Sequence, residues 1–310
     1  MSPAPRQPPE CHAPICPATR PVWFSPDAGE AFVSLGVFLA VLLAAALHAG
    51  WNALIKTGVS KQASMLILSF GHALISLAIV PFFAFPPAGV WPWLLASGLI
   101  HTAYQLFLAY AYEQGDLSRV YPIARGAAPM LVLVVGILAL DEPLSAIETG
   151  GIVVLGTGIA LMARGALRNG ESRRLLPFAL GAACATAGYT LTDGLGARVW
   201  GEPLAYVSWL MILSCLFYTP AVLALSGSHI LRSDRRAWAM GMVAAAASFL
   251  AYAIAVWAMT QAPIPLVGAL RETSILFAVA IGWLAFGERI DRAKLIAAAL
   301  ILAGVALMRL

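Results

Sequence analysis

Charged residues are scarce in this chain of 310 residues. Lys, Arg, Asp and Glu make up only 11% of it, hydrophobic residues make up 61%, and the mean hydropathy is +0.84. Soluble domains carry about 25% charged residues, so the composition excludes an ordinary soluble domain and indicates an integral membrane protein. The apolar runs have the length of membrane-crossing helices, roughly 18–24 residues, which argues against a membrane β-barrel.

Catalytic and metal-binding signatures are also missing. No HExxH, GxSxG or P-loop sequence occurs, and no Asp, Glu and His cluster has metal-ligand spacing. We therefore expect no enzyme activity, no cofactor and no metal. The net charge of +4 does not indicate a nucleic-acid partner, because Lys and Arg in membrane proteins lie mostly in loops and set orientation.

The first 31 residues differ from the rest. Eight prolines lie between Pro3 and Pro26 without periodicity, so residues 1–31 are expected to be a disordered tail. Cys11 and Cys16 lie there without the two further ligands that a zinc site needs. Cys184 and Cys215 fall in apolar segments, as fillers.

Ten apolar segments follow the tail. A polar loop at 164–174 divides them into a first half, 32–163, and a second half, 175–310, each with five segments. Their approximate bounds are 32–55, 64–85, 91–113, 118–139, 145–163, 175–198, 204–225, 237–260, 264–285 and 292–309.

The second half repeats the first. Arg125, Gly136, Glu142 and Gly158 each have an identical residue 146 positions later, at Arg271, Gly282, Glu288 and Gly304. Five segments per half would make the second half enter the membrane upside down. The sequence thus predicts an all-α membrane protein with ten transmembrane helices arranged as two inverted five-helix repeats.

The repeat and several short motifs in and after its segments resemble those of the EamA family of the drug/metabolite transporter superfamily. The resemblance rests on His48-Ala49-Gly50-Trp51-Asn52, its echo Ala187-Gly188-Tyr189-Thr190, and the joints Asp141-Glu142-Pro143 and Gly287-Glu288. It covers residues 32 to 310. It implies a ten-helix transporter, but it leaves the substrate open, because members carry amino acids, other metabolites, drugs and sugar derivatives.

Two arginines within apolar segments are the first candidate site residues. Arg125 and Arg271 each lie about eight residues into a span, roughly 12 Å deep at 1.5 Å per residue. A charge at that depth costs roughly 2.5–3.5 kcal/mol on insertion scales. Guanidinium groups there would bind a carboxylate or phosphate in bidentate fashion. The alternative is structural, with each Arg tying helix ends together through carbonyls or a buried carboxylate.

Further polar residues complete the predicted site. Glu272 and Asp193 lie deep in their segments, where either would pair with an Arg or exchange a proton. His101, Tyr104 and Gln105 have i, i+3 and i+4 spacing and share one helix face, which must look inward. The predicted substrate-binding residues are therefore Arg271, Glu272, Arg125, Asp193, His101, Tyr104 and Gln105. His48 and His72 are isolated imidazoles, for which a structural role is the simpler interpretation.

These features predict a secondary transporter in the cell membrane, such as a bacterial inner membrane. It would export a small polar metabolite, an amino acid or other anionic or zwitterionic compound, by alternating access about a site lined by segments three, four, eight and nine. The driving force would be the substrate's gradient or a proton exchanged at Asp193 or Glu272. The alternatives are a flippase acting on a lipid or phosphate headgroup and a membrane-embedded enzyme. The predicted partners are the bilayer and the substrate, with the oligomeric state left open.

The distribution of Lys and Arg predicts the orientation. Thirteen lie in loops after odd-numbered segments, whereas four lie on the opposite side, which includes both tails. The positive-inside rule then places both termini outside the cytoplasm. A C-terminal reporter that works only in the cytoplasm should stay silent, and a signal from it would reverse the assigned orientation.

Overall fold

The computed structural model describes residues 33–56, 61–114, 127–140, 142–167, 175–287 and 290–309, and no β-strand occurs in these ranges. The first half forms α1 (Leu35–Lys56), α2 (Lys61–Ile79), α3 (Trp91–Gln114), α4 (Ala128–Ala139) and α5 (Ala146–Leu167). The second half forms α6 (Leu175–Trp200), α7 (Pro203–Ser226), α8 (Arg235–Met259), α9 (Ile264–Arg271), α10 (Ser274–Phe286) and α11 (Arg292–Leu307). Short 3₁₀ helices lie at Val80–Phe82, Ala88–Val90 and Ser228–Leu231.

Six helical stretches are long and apolar enough to cross a bilayer. They are Leu35–Ile55, Gln62–Phe82, Ala88–Ala111, Pro203–Ser226, Arg235–Met259 and Ile264–Ala285. Two shorter apolar helices lie at Ala128–Ala139 and Ala146–Met162. The chain is therefore an all-helical, multi-pass membrane protein. The beginning of the fourth expected segment, with Arg125, lies outside the described residues.

The ninth expected segment is not one continuous helix. It divides into α9 and α10 at Glu272 and Thr273, whose amides donate to carbonyls three residues back, Ala269 at 3.0 Å and Leu270 at 3.1 Å. The Thr273 hydroxyl also donates to the Leu270 carbonyl, at 2.7 Å. Such a side-chain bond competes with the α-helical ladder and tightens it locally, so Arg271 becomes the last residue of α9.

Polar side chains define where several helices begin. Ser145 and Glu148 form a reciprocal capping box at the start of α5, with bonds of 3.1 and 2.8 Å. Asp234 accepts from the Ala237 amide before α8, and Asp291 accepts from the Lys294 amide before α11, both at 2.8 Å. These caps satisfy amide groups that the helices themselves leave unpaired.

Each helix that borders lipid has an exposed apolar face. Leu35, Leu39 and Leu43 of α1 are more than half exposed, whereas Val37 and Val41 on the opposite face are buried. Because lipid tails are as apolar as Leu, this division is set by packing and not by hydrophobicity. The main helix pairs are α1 with α8, α3 with α6, α2 with α7 and α5 with α11.

Glycine brings α5 and α11 into backbone contact. A Cβ placed on Gly151 would lie 2.8 Å from the Gly304 carbonyl oxygen, and one on Gly304 would lie 2.6 Å from that of Gly151. A Cβ on Gly158 would lie 2.8 Å from the Ala297 oxygen. Small residues permit this approach, which replaces the missing hydrophobic force between membrane helices with close packing.

We expect Gly151→Ala to destabilise the protein by about 1–3 kcal/mol, because the new methyl group forces two backbones apart. Gly150→Ala is the matched control, since a Cβ there meets nothing within 4 Å and alanine favours a helix. Thermal unfolding of purified protein should show a lower midpoint for Gly151→Ala only. Equal midpoints would mean that the α5–α11 contact does not limit stability.

Candidate functional site

A cavity lies between helices of both halves. About 690 Å³ of space free of protein atoms lies within it, a volume that includes open solvent at its mouth. Seven helices contribute residues to its wall: α1, α2, α3, α6, α7, α8 and α9. Its polar and aromatic lining consists of His48, Trp51, His72, His101, Tyr104, Gln105, Tyr189, Ser248, Tyr252 and Arg271. A polar wall inside an apolar bundle is the feature expected of a small-molecule site.

Asp193 on α6 is the centre of a buried hydrogen-bond network behind this wall. Its Oδ1 accepts from the Tyr206 hydroxyl at 3.2 Å, and its Oδ2 lies 3.0 Å from His101 Nε2 and accepts a short bond from the Tyr252 hydroxyl. The side chain of Asp193 is fully buried. An ionised carboxylate only accepts hydrogen bonds, so His101 Nε2 is the donor in this contact whenever Asp193 is ionised. The network joins α3, α6, α7 and α8.

Aromatic rings cover the wall around His101. The imidazole stacks on Tyr189 with ring centroids 4.2 Å apart, and Tyr189 makes edge contacts with Tyr104 at 5.4 Å and Tyr252 at 5.9 Å. Edge-to-face and offset-stacked arrangements are the favourable ones for aromatic pairs. These contacts hold each ring in one orientation, so the wall is built before any ligand arrives.

Arg271 brings a cation to the cavity at the end of α9. The residue is 7% exposed, and its guanidinium carbon lies 5.4 Å from the centroid of the Tyr252 ring. Among the described residues no carboxylate lies within ion-pair distance of this guanidinium. A cation–π contact stabilises the charge in part, and no hydrogen bond joins this guanidinium to another residue of the described ranges.

A second arginine is partly buried and makes three hydrogen bonds within the protein. Arg198, at the end of α6, donates to Glu142 Oε1 at 2.6 Å and to the carbonyls of Met259 at 2.8 Å and Ala262 at 2.9 Å. Glu142 belongs to the first half and the other three residues to the second. Arg198 is one of the four Lys and Arg residues that the sequence assigns to the side with both tails. The structure shows that it joins the α4–α5 connection to the α8–α9 connection.

The structure brings four of the seven predicted site residues onto the cavity wall: Arg271, His101, Tyr104 and Gln105. Asp193 lies directly behind the wall, bonded to two residues that form it. Glu272 is buried but does not line the cavity. Arg125 lies outside the described residues.

Sequence reasoning missed several lining residues. Trp51 and Tyr189 occupy equivalent positions, 138 residues apart, in the motif that both halves share, and both line the cavity. The repeated motif could therefore have been used to predict these two lining residues. His48 and His72, interpreted as structural, also line it. Ser248 and Tyr252 have i, i+4 spacing on α8, which places them on one face. The substrate site was expected to be lined by segments three, four, eight and nine, and the wall of this cavity also includes residues of α1, α2, α6 and α7.

Together the apolar helices and the polar cavity define a polytopic membrane protein with an internal cavity. The model of the EamA-like transporter family matches residues 34–164 and 174–310, one match for each half. The chain belongs to the EamA-like transporter family of the drug/metabolite transporter superfamily, and it is thus a membrane transporter of that type.

Other comparisons bear on the fold alone. A solved structure described as "Crystal structure of protein" is 20% identical, with a TM-score of 0.64 over 88% of this chain and 96% of that chain. At that identity the likeness shows a shared fold. Comparison with curated proteins gives no match.

We expect Asp193→Asn to lower the free energy of unfolding by about 3 kcal/mol, because three donors lose a buried anionic acceptor. Tyr206→Phe removes only one of these bonds and should cost about 1 kcal/mol. The two variants should therefore rank in that order in thermal unfolding midpoint. An Asp193→Asn midpoint at or above that of Tyr206→Phe would contradict the central position of the carboxylate.

Proposed function

We propose that this protein is a secondary transporter of a small anionic or zwitterionic organic metabolite, which it exports across the cell membrane by alternating access. The observation that carries the proposal is Arg271, a cation on the wall of an internal cavity with no described carboxylate in ion-pair contact. Keeping such a charge inside a bilayer is costly unless a partner or a ligand offsets it.

The α5–α11 contact supports an inverted relation between the halves. Gly151 meets Gly304, and Gly158 meets Ala297, so the two helices run antiparallel. Residues 151 and 297, like 158 and 304, are 146 positions apart, the offset of the sequence repeat. Exchanging the halves therefore maps one contact onto the other, as an isologous two-fold contact requires. A two-fold axis between antiparallel spans lies in the membrane plane.

Two features support alternating access. The cavity wall joins α1 to α3 of the first half with α6 to α9 of the second, so a movement of one half against the other would reshape it. The Glu142–Arg198 ion pair also joins the halves, at the joints that follow α4, α6 and α8. A contact of this kind at one end of the bundle would break and re-form as that end opens and closes.

The driving force is proposed to be the substrate's own gradient or a proton. His101 connects the cavity to Asp193, whereas Glu272 does not reach the cavity wall, so Asp193 is the better placed of the two carboxylates for proton exchange. A proton there would weaken the bonds that join α3 to α6.

We expect Arg271 to bind the substrate more directly than Arg125 does. Arg271→Lys keeps the charge but loses the planar fork that binds carboxylate in bidentate fashion, and we expect at least about tenfold weaker substrate binding, or roughly 1.4 kcal/mol. Arg125→Lys should cost less. Arg309→Lys is the control, because Arg309 contacts Val33 and Phe38 away from the cavity.

The experiment is uptake into liposomes that contain the purified variants. Amino acids, organic acids and sugar phosphates would be offered with and without a pH gradient. A greater effect of Arg125→Lys, or no effect of either substitution, would reverse the assignment. If phospholipid moves between the leaflets and no solute is taken up, the protein is a lipid flippase and not a transporter of soluble metabolites.

A further inference from the structure

The described part of the cavity wall carries charge of one sign only. Its ionisable side chains are Arg271, the imidazoles of His48, His72 and His101, and tyrosine hydroxyls, and it includes no Asp or Glu. Guanidinium is always positive, and an imidazole is neutral or positive. At neutral pH this described part of the wall is therefore positive overall, whatever the protonation of its histidines.

The carboxylate nearest in the hydrogen-bond network does not change this sign for a ligand. Asp193 is fully buried, and both of its oxygens are bonded to protein donors, Tyr206 on one and His101 with Tyr252 on the other. An ammonium group in the cavity would have to break these bonds to reach it. Because Asp193 accepts from wall residues, it orients them instead of binding a cation.

Aromatic rings form a large part of the wall, beside the smaller apolar side chains of Ala44, Ala45, Leu68 and Ala251. Trp51, Tyr104, Tyr189 and Tyr252 come from four different helices, and the three tyrosines already meet at angles near perpendicular, 78° and 74°. A planar ring placed against them would gain further edge and offset contacts. The thioethers of Met65 and Met211, also on the wall, favour aromatic neighbours.

Resting on the proposed transport function, we propose that the preferred substrate is an organic carboxylate with a planar aromatic body and no ammonium group. Its carboxylate would bind the Arg271 fork, and its ring would lie among the tyrosines. Aromatic walls also bind organic cations, but the Arg271 guanidinium already lies over the Tyr252 ring. A second cation beside it would be repelled and would have no anionic partner among the described residues of the wall.

A matched series of ligands tests this on the purified wild-type protein by isothermal titration. The series is 3-phenylpropanoate, phenylalanine, which adds an ammonium group, phenethylamine, which lacks the carboxylate, and 3-cyclohexylpropanoate, which lacks the aromatic ring. We expect 3-phenylpropanoate to bind at least about tenfold more tightly than phenylalanine, because an unpaired ammonium is desolvated in the latter. It should also bind severalfold more tightly than the cyclohexyl compound, and phenethylamine should not bind.

Variants connect the result to the wall. Arg271→Gln should abolish binding of 3-phenylpropanoate, whereas Arg309→Gln, away from the cavity, should leave it unchanged. Phenylalanine or phenethylamine binding as tightly as 3-phenylpropanoate would overturn the inferred charge selectivity. Equal binding of the cyclohexyl compound would overturn the aromatic preference.

The proposed function is tested separately. If the liposome panel shows transport of some other small solute while none of the four compounds binds, the inferred substrate class is wrong and the transporter stands. If no solute is transported by protein that unfolds cooperatively, the proposed function itself fails.

Discussion

Polar groups in a bilayer must find their partners within the protein, and this constraint organises the centre of the bundle. Asp193 accepts from His101, Tyr206 and Tyr252, which come from three helices, so one carboxylate holds four helices in register. Leaving any of these groups unpaired in hydrocarbon would cost several kcal/mol, roughly as for other buried polar groups. Since His101 and Tyr252 also form the cavity wall, the bonds that stabilise the fold fix the shape of the site.

The two described arginines inside the bundle show how surroundings decide a role. Arg198 donates to Glu142 and to two carbonyls, so its bonding capacity is used in joining the halves. Arg271 has an aromatic face beside it and a cavity in front. The same planar fork therefore joins two connections in one position, and in the other it faces a cavity without an ion-pair partner among the described residues.

Close packing and open space are also distributed by residue size. Gly151, Gly158 and Gly304 let α5 and α11 touch through their backbones. Between α2 and α8, Gly71 and Gly241 make room for the side chains of Ala245 and Ile67. Around His101 the facing side chains are the rings of Tyr189 and Tyr252. Membrane helices approach only as far as their side chains allow, so glycine sets the closest contacts, whereas these rings lie on the cavity wall.

The sequence alone determined the class of protein, the two repeats and one face of the site. The apolar composition indicates a protein that lies in the bilayer, and the 146-residue offset between the halves can be read directly from the chain. The spacing of His101, Tyr104 and Gln105 places them on one helix face in any helical fold. Only the tertiary structure decided which groups meet. The donors of Asp193 lie 92 and 59 residues away at His101 and Tyr252, and local spacing carries no information about such contacts. The break after Arg271 contains neither Gly nor Pro, so it too becomes visible only when Thr273 bonds to its own helix.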